Sequence, residues 1–309
     1  DRIYLAGDDD QAIYEWNGAD ADFFIHFPGK VKVLNQSRRI PDRVHFFSQL
    51  LLAPAKGFRQ EKQFNPRKEE GSIQTYSSLR HVDFNQPGSF MVLSRIRSIK
   101  EEVEQDLYEK GVYFQDVQGR KSFRIEQWQG IKAWNHLMEG GSVSREEACI
   151  GYHYIQNIDH GYRSSDSIKW SFAHPNQVFN YEELRLRAGL REAKGHWIDA
   201  FKIRFKDREK QYLIRLLDNN VNLNESAKIT VDTIHAVKGG EADHVVLLSK
   251  SNWPAHYENK NLQDKIKELR VWYTGVTRAK KALHLINTDH KYHFPLGKFY
   301  NNYKANYDK

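Results

Sequence analysis

Cysteine is almost absent from this sequence of 309 residues. The sequence also has no apolar run as long as the about twenty residues that a helix needs to cross a bilayer. The single cysteine, Cys149, excludes an internal disulfide and a zinc site built from cysteines, and it is typical of a reducing compartment. The histidines show no close ligand spacing with carboxylates, so the sequence predicts no metal site of its own. Neither an initial methionine nor a signal peptide is present, and we expect a fragment of a longer, cytoplasmic protein.

The sequence also lacks the phosphate-binding pattern G-x-x-x-x-G-K-S/T and a D-E pair after an early strand. The first would cradle the phosphates of a nucleotide and hold magnesium through its serine or threonine. We therefore expect the chain alone to be inactive as a nucleotide hydrolase.

The composition bounds the class of protein. Hydrophobic residues make up 39% and charged residues 28%, which is typical of a soluble globular protein, and the length favours about two domains. The net charge of +7 favours a polyanionic partner, although many proteins that bind no polyanion are also basic.

One stretch near the end carries the most specific chemistry. Residues 268–279 read ELRVWYTGVTRA, and we expect Gly275 to form a tight turn or a close approach, with a helix beginning near Arg278. A guanidinium group offers a planar, permanently charged set of donors that suits phosphate oxygens. The alternative for a single arginine in a basic chain is an ordinary surface position.

Three further stretches accompany this one in order. They are GDDDQAIYEWNGA at residues 7–19, LNQSRR at residues 34–39 and TVDTIHAVKGGEADHVVLL at residues 230–248. Together the four stretches resemble motifs of superfamily 1 DNA helicases of the UvrD/Rep/PcrA type. The sequence departs from that pattern at Asn17, Ser37, Arg38, Gly240 and Ala242.

The resemblance implies an ATP site, with Mg²⁺ ligands expected in an N-terminal part that would precede Asp1. Gln11 would sense the terminal phosphate, Arg39 and Arg278 would act on the transferring phosphoryl group, and Glu241 would accept a hydrogen bond from the ribose. These three side chains, Gln11, Arg39 and Arg278, are the implied catalytic residues. The implied nucleotide-binding residues are Gln11, Arg38, Arg39, Gly239, Glu241 and Arg278.

The resemblance also implies a track for single-stranded DNA and for junctions with duplex. Tyr14 and Trp16 offer flat faces on which unpaired bases stack, while core packing is the alternative for both. The implied DNA-binding residues are Tyr14, Trp16, Arg95, Thr233, His235 and Lys238.

Local patterns predict an α/β fold, with a parallel sheet covered by helices and a mainly helical insertion, and the resemblance implies that the sheet is RecA-like. The expected strands include residues 2–7, 32–35, 89–94, 229–234 and 245–248, and the expected helices include residues 125–138 and a segment that ends at Gly111. Residues 1–27 would end a first motor domain, residues 28–140 and 227–309 would form a second one, and residues 141–226 would be the insertion. Within the insertion, Trp197, Phe201, Phe205, Tyr212 and Leu216 fall at helical spacing and predict a core stripe, with Lys202, Lys206 and Lys210 on another face. That lysine face is either solvated or a surface that tracks phosphates.

These features give two hypotheses for the function. The first is the C-terminal portion of an ATP-dependent DNA helicase that moves 3′ to 5′ on single-stranded DNA and unwinds duplex, completed by a first motor domain of the same protein. The second is a non-catalytic module that binds nucleic acid on a degenerate motor fold. No membrane partner is expected.

Overall fold

The computed structural model describes residues 3–155, 177–191, 195–201 and 206–307. Contacts divide the chain into two units. The first unit comprises residues 1–106, 114–119 and 228–309, and the second comprises residues 107–113 and 120–227. None of the described helices is both long enough and apolar enough to span a membrane.

In chain order the described helices and strands are α1 (Ala21–Ile25), β1 (Gln36–Pro41), α2 (Asp42–Leu52), β2 (Asn65–Arg67), β3 (Ser72–Tyr76), β4 (Phe90–Ser94), α3 (Arg97–Glu109), β5 (Phe114–Gln115), α4 (Ile125–Met138), β6 (Val143–Ser144), α5 (Arg145–Tyr154), β7 (Val178–Phe179), α6 (Tyr181–Arg187), α7 (Trp197–Ala200), α8 (Asp207–Asp218), β8 (Ile229–Thr233), β9 (Ala242–Leu248), α9 (Leu262–Val276), β10 (Ala279–Ile286) and α10 (Leu296–Tyr307).

A six-stranded parallel sheet in the order β3-β10-β9-β4-β8-β5 forms the centre of the first unit. All five residues of β4 and six of the seven residues of β9 are buried, which is typical of central strands covered on both faces. Alternate side chains, including Leu93, Leu247 and Leu285, join a core with residues of α2, α9 and α10. The predicted α/β class with a parallel sheet and covering helices is therefore confirmed.

The second unit is mainly helical in its described residues, as predicted. Its core contains Trp134 and also Trp197, Phe201, Tyr212 and Leu216, all nearly inaccessible to solvent. Four members of the predicted aromatic stripe are thus core residues, while Phe205 lies outside the described residues. Lys210 of the predicted lysine face is also buried. That face is therefore not a row of three exposed lysines, and Lys202 lies outside the described residues.

Helix α4 has the predicted bounds but belongs to the second unit rather than to the residues assigned to the motor domain. Its apolar side chains Ile131, Trp134 and Leu137 lie in the core of that unit, and Gly130 lets α4 approach Phe201 closely. Contacts therefore group residues 120–140 with the helical residues that follow, whereas the sequence predicted an insertion that begins at residue 141. The stretch NIDHGYRSSDS at residues 157–167, which is typical of a loop and only loosely resembles the glycine hairpin by which UvrD/Rep/PcrA-type helicases hold duplex DNA, lies outside the described residues.

Three local predictions were wrong. A buried strand was expected at residues 2–7, but the described residues 3–7 form no strand, and Ile3, Tyr4 and Leu5 are exposed. A strand needs a neighbour to satisfy its backbone groups, and none of the described strands pairs with this segment. The short strand expected at residues 32–35 instead begins at Gln36. No helix begins near Arg278, because α9 ends at Val276 and β10 begins at Ala279.

Gly275 makes a close approach to a neighbouring element. A Cβ atom at this position would lie 3.1 Å from Cδ1 of Leu247 and 3.4 Å from Cδ1 of Ile234. The absence of a side chain lets α9 pack directly onto the sheet.

We expect Gly275→Val to lower the free energy of unfolding of the first unit by about 1–3 kcal/mol, because its methyl groups overpack this contact. Native-state hydrogen exchange of the β9 amides measures this free energy. Gln263→Val, at an exposed position of the same helix, carries only the cost of a β-branched residue, at most about 0.7 kcal/mol. Equal stability of the two variants would show that the helix–sheet contact tolerates a side chain.

Candidate functional site

Arg278 lies between the end of α9 and the start of β10, with its guanidinium group buried. Its Nε donates to the carbonyl of Thr274 at 2.9 Å, and Nη1 donates to the carbonyl of Gly240 at 3.2 Å. Its Nη2 donates to Oε1 of Gln11 at 2.6 Å. Two residues that were predicted separately as nucleotide contacts are therefore in direct contact.

Arg39 lies close enough to this pair for the two arginine charges to interact. Burial lowers the pKa of Arg278 to about 10, and the repulsion from Arg39 contributes to this shift. Burial likewise lowers the pKa of Arg39, against the opposing charge of Glu241. The Nε of Arg39 is buried without a hydrogen-bond partner among the described residues. Two neighbouring guanidinium groups, one with an unused donor, form a place where an anion would be stabilised.

The remaining predicted nucleotide residues differ in their surroundings. Glu241 is exposed, 3.4 Å from Nζ of Lys280, and its charge acts on both arginines. Gly239 has a φ of +95°, a conformation that favours glycine. Arg38 is exposed on β1, and no described hydrogen bond joins it to Gln11 or Arg278. Its predicted contact with the base rests on the sequence alone.

Tyr14 joins the predicted DNA residues that follow β8. Its hydroxyl donates to the carbonyl of His235 at 2.6 Å, and the two ring centroids are 6.1 Å apart. The Nζ of Lys238 lies 5.0 Å from the centroid of the Tyr14 ring. Trp16 belongs to a short 3-10 helix, Glu15–Asn17, but its side chain lies outside the described part of the structure.

Arg95, also predicted to contact DNA, is bound to a buried carboxylate. Its Nε and Nη2 donate to the two carboxylate oxygens of Glu268 at 2.7 and 3.1 Å. Glu268 is 2% exposed and also accepts a hydrogen bond from Nε1 of Trp272 at 2.9 Å. Arg95 is therefore held in place by α9. Thr233 is half-buried, and its hydroxyl oxygen accepts from the backbone of Ala236.

The two groups of residues lie at opposite edges of the parallel sheet. Arg95 and His235 follow the carboxyl ends of β4 and β8, whereas Glu241 and Arg278 precede the amino ends of β9 and β10. The segment between Thr233 and Ala242 runs from one edge to the other. Helix α9 makes a second connection, because Glu268 contacts Arg95 and the carbonyl of Thr274 accepts from Arg278.

A cavity of about 530 Å³ lies beside the predicted DNA residues, a volume in the usual range of binding clefts. Arg95 and His235 line it together with Ile13, Glu15, Glu268 and Arg270. Arg270 donates to Glu15 at 3.0 Å and to the carbonyl of Phe58 at 2.8 Å, so α9 also holds the segment that carries Tyr14.

Some residues of this arrangement had no role assigned from the sequence. Glu268 and Arg270 belong to the quoted motif, but only their contacts show which residues they hold. Arg59 and Lys62, which lie in a polar connector, bind the acidic residues Asp8–Asp10. A basic residue in a polar connector gives no sequence signal for such a contact.

Residues 197–290 match the family model of the UvrD-like helicase C-terminal domain. This part of the chain, about a third of its length, is therefore similar to the C-terminal domain of UvrD-like helicases. The matched residues of this UvrD-like region include His235, Glu241, Glu268 and Arg278, whereas Gln11, Tyr14, Arg39 and Arg95 lie outside them. A search of curated proteins found no match to the chain.

Burial and the charge of Arg95 lower the pKa of His235 to about 4. The imidazole is therefore neutral at pH 7, and it would meet a phosphate through a hydrogen bond rather than through charge.

We expect the His235 ring to titrate with a midpoint near pH 4 in a nuclear magnetic resonance (NMR) pH titration. Arg95→Gln should raise the midpoint, because it removes a repelling charge and leaves Glu268 to favour the protonated ring. Arg97→Gln is the control, since Arg97 is exposed and pairs with Glu101. A wild-type midpoint near an ordinary histidine value would contradict the neutral state.

Proposed function

We propose that this chain is the C-terminal portion of an ATP-dependent DNA helicase that couples ATP hydrolysis to 3′–5′ movement on single-stranded DNA and to duplex unwinding. The observation that carries the proposal is the hydrogen bond between Gln11 and Arg278 at the amino edge of the parallel sheet, together with the charge of Arg39 that acts on Arg278. The UvrD-like match of residues 197–290 supports the same function, and the 3′–5′ direction rests on the resemblance of the motifs.

The arginine pair suits the chemistry of phosphoryl transfer. Negative charge on the equatorial oxygens is stabilised by guanidinium donors fixed before the reaction, which then need little reorganisation. Arg278 is fixed by the carbonyls of Thr274 and Gly240, and Arg39 has an unused buried donor. In the proposal, an ATP phosphate replaces Gln11 as the acceptor of the Arg278 Nη2 hydrogen bond. Gln11 then senses whether the terminal phosphate of the nucleotide is present.

The described residues do not offer a free set of Mg²⁺ ligands. The carboxylates of Asp8–Asp10 lie within 4.8 Å of one another, but Lys62 and Arg59 bind them. We propose that a first motor domain of the same protein supplies the phosphate-binding loop and the magnesium ligands, which complete the ATP site. The exposed side chains of Ile3, Tyr4 and Leu5 support such a neighbour, because they form an apolar segment that a sheet would cover.

The DNA part of the proposal rests on the opposite edge of the sheet. Tyr14, His235 and Lys238 form a connected group beside the cavity that Arg95 lines. Aromatic rings on which bases stack, together with nearby cationic side chains, bind single strands with little sequence preference. A cytoplasmic location is part of the same proposal. A non-catalytic DNA-binding module would not require the cluster of Gln11, Arg39 and Arg278.

We expect Arg278→Ala and Arg278→Lys to lower DNA-stimulated ATPase turnover of the protein expressed from its full coding sequence by at least about a hundredfold. Lysine keeps the charge but lacks the planar set of several donors that a guanidinium group offers. Nucleotide affinity should change far less, and single-strand binding without nucleotide should persist.

Steady-state ATPase assays and single-strand binding measure these effects, with circular dichroism as a check of folding. Arg80→Ala, at an exposed arginine, is the control and should leave turnover unchanged. The 309-residue chain alone should hydrolyse no ATP. Near-normal turnover in folded Arg278 variants would overturn the assignment of this arginine.

We expect Trp16→Ala in the full-length protein to weaken single-strand binding by about 1–3 kcal/mol, because one stacking face is lost. The loss should be similar for oligo-dT, oligo-dA and oligo-dC in fluorescence anisotropy, and ATP affinity without DNA should stay near wild type. Trp253→Ala, at an exposed tryptophan outside the four motifs, is the matched control. Unfolding of Trp16→Ala would instead indicate core packing.

A further inference from the structure

Three consecutive carboxylates are bound by two basic residues from the connector between α2 and β2. The Nε of Arg59 donates to Oδ1 of Asp10 at 2.8 Å, and a guanidinium Nη2 bonds the other oxygen. The Nζ of Lys62 lies 2.7 Å from Asp8, 2.5 Å from Asp9 and 3.0 Å from Asp10. Together these contacts bring two positive charges to three negative ones.

The surroundings make these ion pairs necessary for the local conformation. Asp9 and Asp10 are 3% and 1% exposed, and the side chains of Lys62 and Arg59 are 12% and 17% exposed. Buried carboxylates this close together repel one another unless cations lie between them. Removing one partner of a buried pair leaves an uncompensated charge, which costs more than the pair itself contributes.

A short chain of hydrogen bonds leads from Lys62 to the arginine of the nucleotide site. Lys62 binds Oδ1 of Asp8, while Oδ2 of Asp8 accepts from Nε2 of Gln11 at 2.6 Å. The other end of the same amide, Oε1, accepts from Arg278 at 2.6 Å. Both ends of the Gln11 side chain are thereby fixed, which orients its oxygen towards Arg278.

We propose that Arg59 and Lys62 form a charged latch that holds Asp8–Asp10 and thereby positions Gln11 against Arg278. The role as a positioning device for nucleotide sensing rests on the proposed function, whereas the latch itself is a property of this chain. Arg59 and Lys62 are positioning residues, since they act on the site through Asp8 and Gln11. A separate hydrogen bond joins the same connector to α9, because the carbonyl of Phe58, next to Arg59, accepts from Arg270.

The test uses the 309-residue chain without nucleotide, so its result does not depend on ATPase activity. The variants are Arg59→Ala, Lys62→Ala and Asp8→Ala, with Gln11→Ala as the reference for a lost Gln11–Arg278 bond. Hydrogen exchange of residues 8–17 measures the docking of the segment, and the Nε–H resonance of Arg278 measures its hydrogen bonding. Lys56→Ala is the control, because Lys56 is exposed in the same connector and makes none of the described contacts with Asp8–Asp10.

We expect Arg59→Ala and Lys62→Ala to raise exchange in residues 8–17 at least about tenfold while the β4 and β9 amides stay protected. The Arg278 resonance should move towards its position in Gln11→Ala, and Lys62→Arg should restore it in part. Lys56→Ala should resemble the wild type in both measurements.

Unchanged exchange and an unchanged Arg278 resonance in the alanine variants would overturn the latch. Should Arg59→Ala and Lys62→Ala fail to fold, Asp8→Ala decides, because it removes the acceptor of the Gln11 amide and keeps the pairs of Asp9 and Asp10. A shifted Arg278 resonance in Asp8→Ala supports the latch, and an unshifted one refutes it. If the latch is present but the full-length protein lacks ATPase activity, only the proposed function fails.

Discussion

The burial of helix α9 against the parallel sheet is the constraint on which the site depends. Nine consecutive residues from Glu268 to Val276 are buried, so this helix has little freedom to rotate or slide. Because Gly275 has no side chain, the helix can lie close to Leu247 and Ile234. Because the backbone is fixed, the side chains that α9 carries, and Arg278 just after its end, are fixed as well. The helix thus sets the geometry of both groups of predicted site residues.

Helix α9 connects the two groups of residues, which lie at opposite edges of the parallel sheet. Glu268 holds Arg95 at the carboxyl edge, and one to two turns later the carbonyl of Thr274 holds Arg278 at the amino edge. Packed helices transmit displacement because interiors are dense and resist compression. In the proposed function, a bound phosphate would relieve the repulsion between Arg39 and Arg278, and α9 would connect the nucleotide to the strand of DNA.

Much of the fold follows from local patterns. The bounds of α4, the buried strands β4, β8 and β9, and the end of α3 near Gly111 agree with the predictions from periodicity and from glycine. Residues 3–7 illustrate the limit, since an apolar pattern identifies a strand only when another strand is available to pair with it. Lys210 shows a second limit: periodicity placed it on a polar face, but the packing of the second unit buries it.

By itself, the sequence determined the class of fold, and it predicted which residues would form a phosphate site and a DNA track. Motif strings carry this information because each needs particular side chains at fixed spacing. Only the tertiary structure decided that Gln11 meets Arg278, that Arg95 is held by Glu268, and that Lys62 and Arg59 bind the acidic residues at positions 8–10. These contacts join residues between 49 and 267 positions apart. Charge pairing over such separations depends on the three-dimensional path of the chain, which no local pattern specifies.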